Sequence, residues 1–324
     1  MNTEILKEEG LKIGARLIRE GELVAFPTET VYGLGADALN EQAVKNIFIA
    51  KGRPQDNPLI VHLDSVDKLD DVAYSTPLAV KLFNKFSPGP LTVVLNKKPC
   101  VPDVVSAGLS TVAVRIPKHG MARELIRLSG RPIAAPSANT SGRPSPTCAQ
   151  DVYADMNGKI PLILDGGDCD IGIESTVIDL TSDIPTVLRP GYITVEMLLE
   201  EFEKVKTVTG KVVIAKAPGM KHKHYAPSCP MVLGKGKGEL IALYDKALQD
   251  GYKPVILTTY TDKQCLGGRS VIEMGKTEKE VSHNLFSTLR RAEKEFNYIV
   301  SERVDDTGLG SSVMNRMRKA AGVD

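Results

Sequence analysis

A chain of 324 residues has room for two domains, and its 42% hydrophobic and 25% charged content are ordinary for a soluble globular protein. The formal net charge of +1 argues against a protein whose main task is to coat nucleic acid, while leaving room for a local basic pocket. No apolar run approaches the roughly 18–20 residues that span a bilayer, and residues 1–19 mix acids and bases without the apolar core of a signal peptide. Cys100, Cys148, Cys169, Cys229 and Cys265 are odd in number and widely spaced, with no CxxC pair. That pattern fits a reducing cytoplasm and argues against a disulfide framework or a structural zinc site. His222, His224 and Cys229 are the one local metal candidate, and a fourth ligand is missing nearby.

In chain order, the apolar stripe Leu6, Leu11, Ala15 and Ile18 predicts a helix over 4–20, stopped by Gly21. A strand over 23–26 follows. Helices near 41–50, 77–86 and 120–129 then alternate with strands at 59–63, 91–95, 112–116 and 132–135, and further strands are expected at 162–164, 176–180 and 186–188. Strands outnumber helices, which points to a large mixed sheet with helices packed on it rather than a strict βαβ repeat. After a helix near 194–204, residues 209–230 combine three prolines and two glycines with lysines, His222, His224 and Tyr225, an unusual composition for a linker. From 231 onward a simpler alternation predicts a small doubly wound, Rossmann-like α/β domain: strands 231–233, 254–258, 270–274 and 298–304, helices 238–249, 277–295 and 311–321. The expected division is a domain over 1–208, a linker over 209–230 and a second domain over 231–324.

The richest motif is Lys51-Gly52-Arg53-Pro54-Gln55-Asp56-Asn57-Pro58-Leu59. In an extended segment Lys51 and Arg53 would point the same way, toward one polyanion. A second polar cluster, Ser137-Ala138-Asn139-Thr140-Ser141-Gly142, follows a short apolar strand. The run 27–35, Pro-Thr-Glu-Thr-Val-Tyr-Gly-Leu-Gly, offers hydroxyls, a phenol and glycines at a strand end; it reads either as a ligand loop or as a glycine-rich reversal. His62 lies among aliphatic residues and is either a core histidine or a site residue. Arg115, in the apolar strand Thr111-Val112-Ala113-Val114-Arg115, needs an anion if buried, either an internal Asp or Glu or a ligand carboxylate. Ser175 and Arg189 sit at further strand ends. No Walker A motif is present, because Ser270 stands where Ser270-Val271-Ile272-Glu273-Met274-Gly275-Lys276-Thr277 would need its first glycine; Thr277 reads instead as a helix cap. No nucleophile elbow or Ser/His/Asp arrangement stands out, so the inventory favours positioning and electrostatic stabilisation of a phosphate transition state.

Taken together, these segments resemble the threonylcarbamoyl-AMP synthase family in its long form, a YrdC-type domain followed by a small C-terminal α/β domain. The matching pieces are 27–35, Lys51-x-Arg53 with Asn57-Pro58-Leu59, Ser87-Pro88-Gly89-Pro90, Arg115-Ile116-Pro117, Ser137-x-Asn139 with Ser141-Gly142, Glu174-Ser175-Thr176-Val177 and Leu188-Arg189-Pro190-Gly191. The linker 218–227 and the tail from Gly308-Leu309-Gly310 to Met314-Asn315-Arg316 complete the series in the family's order.

The resemblance implies an ATP:threonine/bicarbonate adenylyltransferase. L-threonine, bicarbonate or CO2, and ATP with Mg2+ would give threonylcarbamoyl-AMP and pyrophosphate, and the product would pass to the machinery that modifies the adenosine beside the anticodon of certain tRNAs. By matched position, Lys51, Arg53, Ser137 and Asn139 would act in catalysis. Thr30, His62, Arg115 and Ser175 would hold threonine, with Arg115 on its carboxylate. Arg53, Asn57, Thr111, Ser137, Ser145, Arg189 and Tyr225 would hold ATP. His224 and Tyr225 would belong to a lid formed by the linker. No resident metal, stable nucleic-acid binding or membrane contact is expected; the oligomeric state is left open, with a monomer favoured. Of three rivals, non-catalytic sensing of a nucleotide would be excluded by turnover. An RNA-binding module is disfavoured by the near-zero charge and by an aromatic content of 5% without tryptophan. An enzyme adenylating carbamoyl phosphate is disfavoured by the threonine-facing set.

Overall fold

The computed structural model describes residues 2–208 and 224–323. They form two compact units. The first contains one eleven-stranded sheet. Its strands are Glu4–Leu6 (β1), Val24–Phe26 (β2), Gly33–Asp37 (β3), Ile60–His62 (β4), Leu91–Asn96 (β5), Thr111–Arg115 (β6), Ile133–Ala135 (β7), Leu162–Leu164 (β8), Thr176–Asp179 (β9), Thr186–Arg189 (β10) and Lys206–Thr207 (β11). They lie in the order β1-β8-β2-β3-β7-β4-β6-β5-β9-β10-β11. The sheet is mixed: β4 runs parallel to β6 and β5 parallel to β9, while β5 and β6 are antiparallel. Helices Leu11–Arg19 (α1), Glu41–Lys51 (α2), Pro77–Phe86 (α3), Asp103–Ser106 (α4), Gly120–Ser129 (α5), Ala149–Met156 (α6) and Val195–Leu199 (α7) complete it. The helices over 77–86 and 120–129 fall where their apolar spacing places them, with Thr76 and His119 accepting first-turn N–H bonds.

Two local expectations are corrected. Residues 4–6 are a strand, because their backbone pairs with Leu162–Leu164 and Leu6 O accepts Asp165 N; a distant partner outweighs the helical spacing. The helix near 194–204 stops at Leu199, and the chain goes on to pair Lys206 with Thr186. The run 27–35 reverses the chain through residues 27–32, between antiparallel β2 and β3, while its glycines at 33 and 35 lie not in that turn but in β3 beneath an aromatic ring. A Cβ on Gly35 would stand 2.7 Å from Ile133 Cγ2 and 2.8 Å from Phe26 Cε1, and one on Gly33 3.1 Å from Phe26 Cζ.

In the second unit Met231–Gly234 (β12), Pro254–Thr258 (β13), Val271–Glu273 (β14) and Tyr298–Glu302 (β15) form a parallel sheet in the order β12-β15-β13-β14. Helices Gly236–Gln249 (α8), Glu278–Glu295 (α9) and Gly308–Ala321 (α10) follow β12, β14 and β15. Thr277 caps α9 through a capping box with Glu280, as its sequence predicts. Residues 142–144 and 171–173, expected within the first domain, cluster with this unit instead. Hydrogen bonds explain why: Ala226 N donates to Gly142 O, Arg290 Nη2 to Pro144 O and Ser282 Oγ to Ile171 O. Gly172 lies so close to the α9 backbone that a Cβ would stand 2.4 Å from His283 O.

Gly35→Ala is expected to cost about 1–3 kcal/mol through overpacking, whereas Gly120→Ala, with open space at its Cβ position, should be close to neutral. Urea melts of the two variants check the contrast; equal effects would mean that Phe26 does not require the glycine.

Candidate active site

One face of the first sheet carries a row of buried polar side chains. Register pairs His62 with Arg115, and Arg115 with Thr92, which in turn pairs with Val177. Paired residues project to the same face, so His62, Arg115 and Thr92 stand side by side. Ser175, two residues before Val177, joins them: Thr92 Oγ1 and Ser175 Oγ are 2.8 Å apart. Arg189 closes the row, donating from Nε and Nη2 to the Ser175 carbonyl at 3.1 and 2.9 Å and from Nη2 to Ser175 Oγ at 3.1 Å. A Cβ on Gly191 would stand 2.3 Å from Thr176 N, so the Arg189 and Ser175 motifs meet backbone to backbone.

Thr30 reaches this row from the β2–β3 loop, accepting Arg115 Nη1 at 2.9 Å. Thr28 Oγ1 folds the loop, accepting Thr30 N and Val31 N and donating to Val31 O. With its one proton committed there, Thr28 must accept from Thr30 Oγ1, 2.8 Å away. A ligand therefore meets Thr30 as an acceptor. The anion that Arg115 requires is internal: Nη2 donates to Glu29 Oε1 at 2.7 Å, and Nε to Gly89 O at 3.4 Å. Glu29 Oε2 accepts Lys118 N at 3.0 Å. His62 is held neutral, its pKa lowered to about 3 first by burial and then by the charge of Arg115.

Thr111, on the same face as Arg115, begins β6 four residues earlier, about 13 Å away along the strand. At that end Arg53 Nη2 donates to the carbonyls of Asn57 and Pro58, 3.3 and 3.2 Å away, just ahead of β4. Asn57 is buried, and its Oδ1 has no hydrogen-bond partner among the described residues. Between the two ends Ile60, Val94, Ala113 and Val177 form an apolar floor.

Lys51 and Arg53 do not share an extended segment. Lys51 ends α2, and Gly52 adopts φ +61 as the helix C-cap, which breaks the alternation. Lys51 is buried, and Nζ donates to the carbonyls of Ser137, at 2.5 Å, and Asn139. Ser137 Oγ donates to Asn139 Oδ1 at 2.5 Å, so one ammonium fixes the Ser137–Asn139 turn from below. Ser145 Oγ donates to Glu174 Oε1 at 2.6 Å. Tyr32 spends its phenol on the loop after β8, donating to Gly167 O and accepting Gly166 N, and burial pushes its pKa up. His224 and Tyr225 belong to the second unit, where Tyr225 stacks on Phe286 at 5.2 Å and Arg316 lies 6.0 Å from its ring. Residues 209–223 of the expected lid, His222 of the metal candidate among them, lie outside the described residues.

Glu29, Thr28 and Thr92 carry site geometry without having been singled out. Glu29 had a signal, since it is a carboxylate in a polar loop at a strand end and Arg115 required such a partner.

Residues 16–191 match the family described as Sua5_yciO_yrdC, telomere recombination, and residues 193–322 match the threonylcarbamoyl-AMP synthase C-terminal domain. The chain belongs to the threonylcarbamoyl-AMP synthase family. The threonylcarbamoyl-AMP synthase of Pyrococcus abyssi is 48% identical, covering 98% of this chain and 96% of its own length. That of Bacillus subtilis is 45% identical, covering 95% and 92%. The crystal structure of P. abyssi Sua5 complexed with L-threonine superposes with a TM-score of 0.93 at 46% identity, covering 100% of this chain and 98% of that one.

The depressed pKa of His62 makes stability depend on pH. Unfolded, His62 takes up a proton below its ordinary value of 6.5, whereas the folded protein refuses it until about 3. The stabilisation is complete above 6.5 and is lost as pH falls toward 3; at pH 5 the loss is about 2 kcal/mol. Urea melts at pH 7 and pH 5 should show that extra loss in the wild type and not in His62→Gln; parallel losses would mean His62 titrates normally.

Proposed function

We propose that this chain is a threonylcarbamoyl-AMP synthase that uses the two polar ends of one sheet face for the two halves of its product. The observation that carries the reading is their spacing. A cation-bearing row suited to an amino acid and a second cluster suited to a nucleotide lie about 13 Å apart along β6, over an apolar floor. That separation is on the scale of an extended carbamoyl-adenylate.

Threonine occupies the first end. Its carboxylate meets Arg115, its donors meet the accepting oxygen of Thr30, and Ser175 and His62 line the remainder. A neutral His62 adds no second positive charge beside the amine. The amine nitrogen attacks CO2 to form a carbamate and releases a proton. The carbamate oxygen then attacks the α-phosphorus of ATP, and the bond to the β-phosphate oxygen breaks to release pyrophosphate. The nucleotide lies along Arg53, Asn57 and Thr111, where the unmatched Asn57 Oδ1 suits an adenine amino group or a ribose hydroxyl. The Ser137–Asn139 turn, with Lys51 beneath it, places positive charge toward the phosphates. Among the described residues no three acidic, histidine or cysteine side chains group to hold a metal ion, and Mg2+ enters as part of the substrate MgATP.

A carbamate is short-lived, so water must be excluded while it waits for ATP. The composition of 209–230 suits a lid over the pocket, with the second domain as its anchor. The threonylcarbamoyl group then passes to tRNA-modifying machinery in the cytoplasm; among the described residues no helix is long and apolar enough to cross a membrane.

Pyrophosphate release from MgATP tests the reaction. It should require both L-threonine and bicarbonate, and release that ignores threonine would move the reading to another acceptor. Two variants test the division of the site. Arg115→Ala should raise the threonine KM about tenfold or more with a smaller effect on ATP, and Asn57→Ala should do the reverse. Equal effects on both substrates from either variant would reject the two-ended arrangement.

A further inference from the structure

We propose that Glu29 sets the specificity of the Arg115 pocket for a zwitterion: its carboxylate fixes the guanidinium and offsets its charge, so that the pocket favours an amino acid over a simple carboxylate. The inference rests on reading Arg115 as the partner of the threonine carboxylate.

Glu29 and Arg115 form a buried ion pair, N to O 2.7 Å, with side chains 3% and 5% exposed. Both carboxylate oxygens are engaged, Oε1 by Arg115 and Oε2 by Lys118 N. Such a carboxylate is poorly placed to act as a base and well placed to hold a neighbour. Arg115 has five N–H groups. Three are spent on Gly89 O, Thr30 Oγ1 and Glu29 Oε1, which leaves one on each terminal nitrogen without a partner among the described residues. The guanidinium is therefore pinned on several sides, and what remains can grip one carboxylate.

The charge balance gives this geometry a chemical consequence. His62, beside Arg115 in the register, is neutral. A lone buried guanidinium would draw any small carboxylate out of water. Paired with Glu29, the pocket is close to neutral, and a bare carboxylate entering it also meets Glu29. A zwitterion brings a cation of its own, so its net charge matches the pair, and Thr30 is oriented to accept from its ammonium group or hydroxyl. Glu29 thus discriminates partly by penalising the wrong ligand.

The test is calorimetric binding to the full-length chain of L-threonine and of (R)-3-hydroxybutyrate, which is threonine without its amine. The wild type should prefer threonine strongly. In Glu29→Gln the ratio of the two dissociation constants should fall about tenfold or more, with tighter binding of the hydroxybutyrate as the larger part of the change, while Glu29→Asp should keep a ratio near that of the wild type. A Glu29→Gln ratio equal to the wild type's would make Glu29 a structural residue only and overturn the proposal. If circular dichroism shows that Glu29→Gln does not fold, Glu29→Asp against Glu29→Asn asks the same question of charge at fixed size, and equal ratios there overturn it. Arg115→Ala separates the two levels: threonine affinity unchanged in that variant would overturn the underlying reading itself.

Discussion

A permanently charged guanidinium at the end of an apolar strand is the constraint around which the first unit is arranged. Arg115 is 4% exposed and flanked in its strand by Val112, Ala113 and Val114, all buried. Such a charge cannot lose its proton, so the fold must surround it with acceptors. Glu29, Thr30 and Gly89 do so, from two separate loops. Each loop is then held by contacts of its own. Thr28 ties down the Glu29–Thr30 turn. Gly89 fits against Phe86, where a Cβ would stand 2.4 Å from the Phe86 carbonyl, and the next residue, Pro90, accepts Thr176 N. That last bond brings Ser175 and the Arg189 motif to the row. Meeting the needs of one cation thus gathers four segments far apart in sequence.

The same requirement makes the pocket suited to chemistry. A reactive carbamate calls for a site whose dipoles are aligned before the substrate arrives, since rearranging them during the reaction raises the barrier. The proton order from Arg115 through Thr30 and Thr28 to Val31 O has one direction only, because each hydroxyl has a single hydrogen to give. His62 contributes by being neutral. Its burial beside Arg115 prevents a second positive charge that would repel the first and compete for its counter-ion.

The sequence was most legible where structure is local. The helices over 77–86 and 120–129 carry their own caps and apolar stripes, and the capping box at Thr277 is a four-residue signal. The first strand was missed because its meaning lies in Leu162–Leu164, far along the chain. Gly33 and Gly35 signal a close approach, but glycine records the need for space without naming what fills it, here the Phe26 ring. Thr30, His62, Arg115 and Ser175 do meet in one row. Glu29 lies in a legible motif, but its role is not legible there, because its partner is 86 residues away and no local spacing connects them.

Lys51 shows why a motif can be legible while its geometry is not. Two cations separated by one residue invite a picture of paired phosphate contacts, but a left-handed glycine between them sends their side chains to different tasks. The ammonium of Lys51 is buried under the Ser137–Asn139 turn and holds it by two carbonyls. The N–H groups of the two peptide units it holds are spent within the fold, Ala138 N on Tyr32 O and Thr140 N on Asp155 Oδ2, so the turn is fixed on both sides. A flexible ammonium can satisfy two carbonyls approaching from different residues, whereas a planar guanidinium presents its donors in a fixed fork and is longer. Lysine is therefore required here for its shape as well as its charge, and the glycine that follows is required so that the chain can turn away and leave Arg53 at the amino end of β4, beside the unmatched oxygen of Asn57.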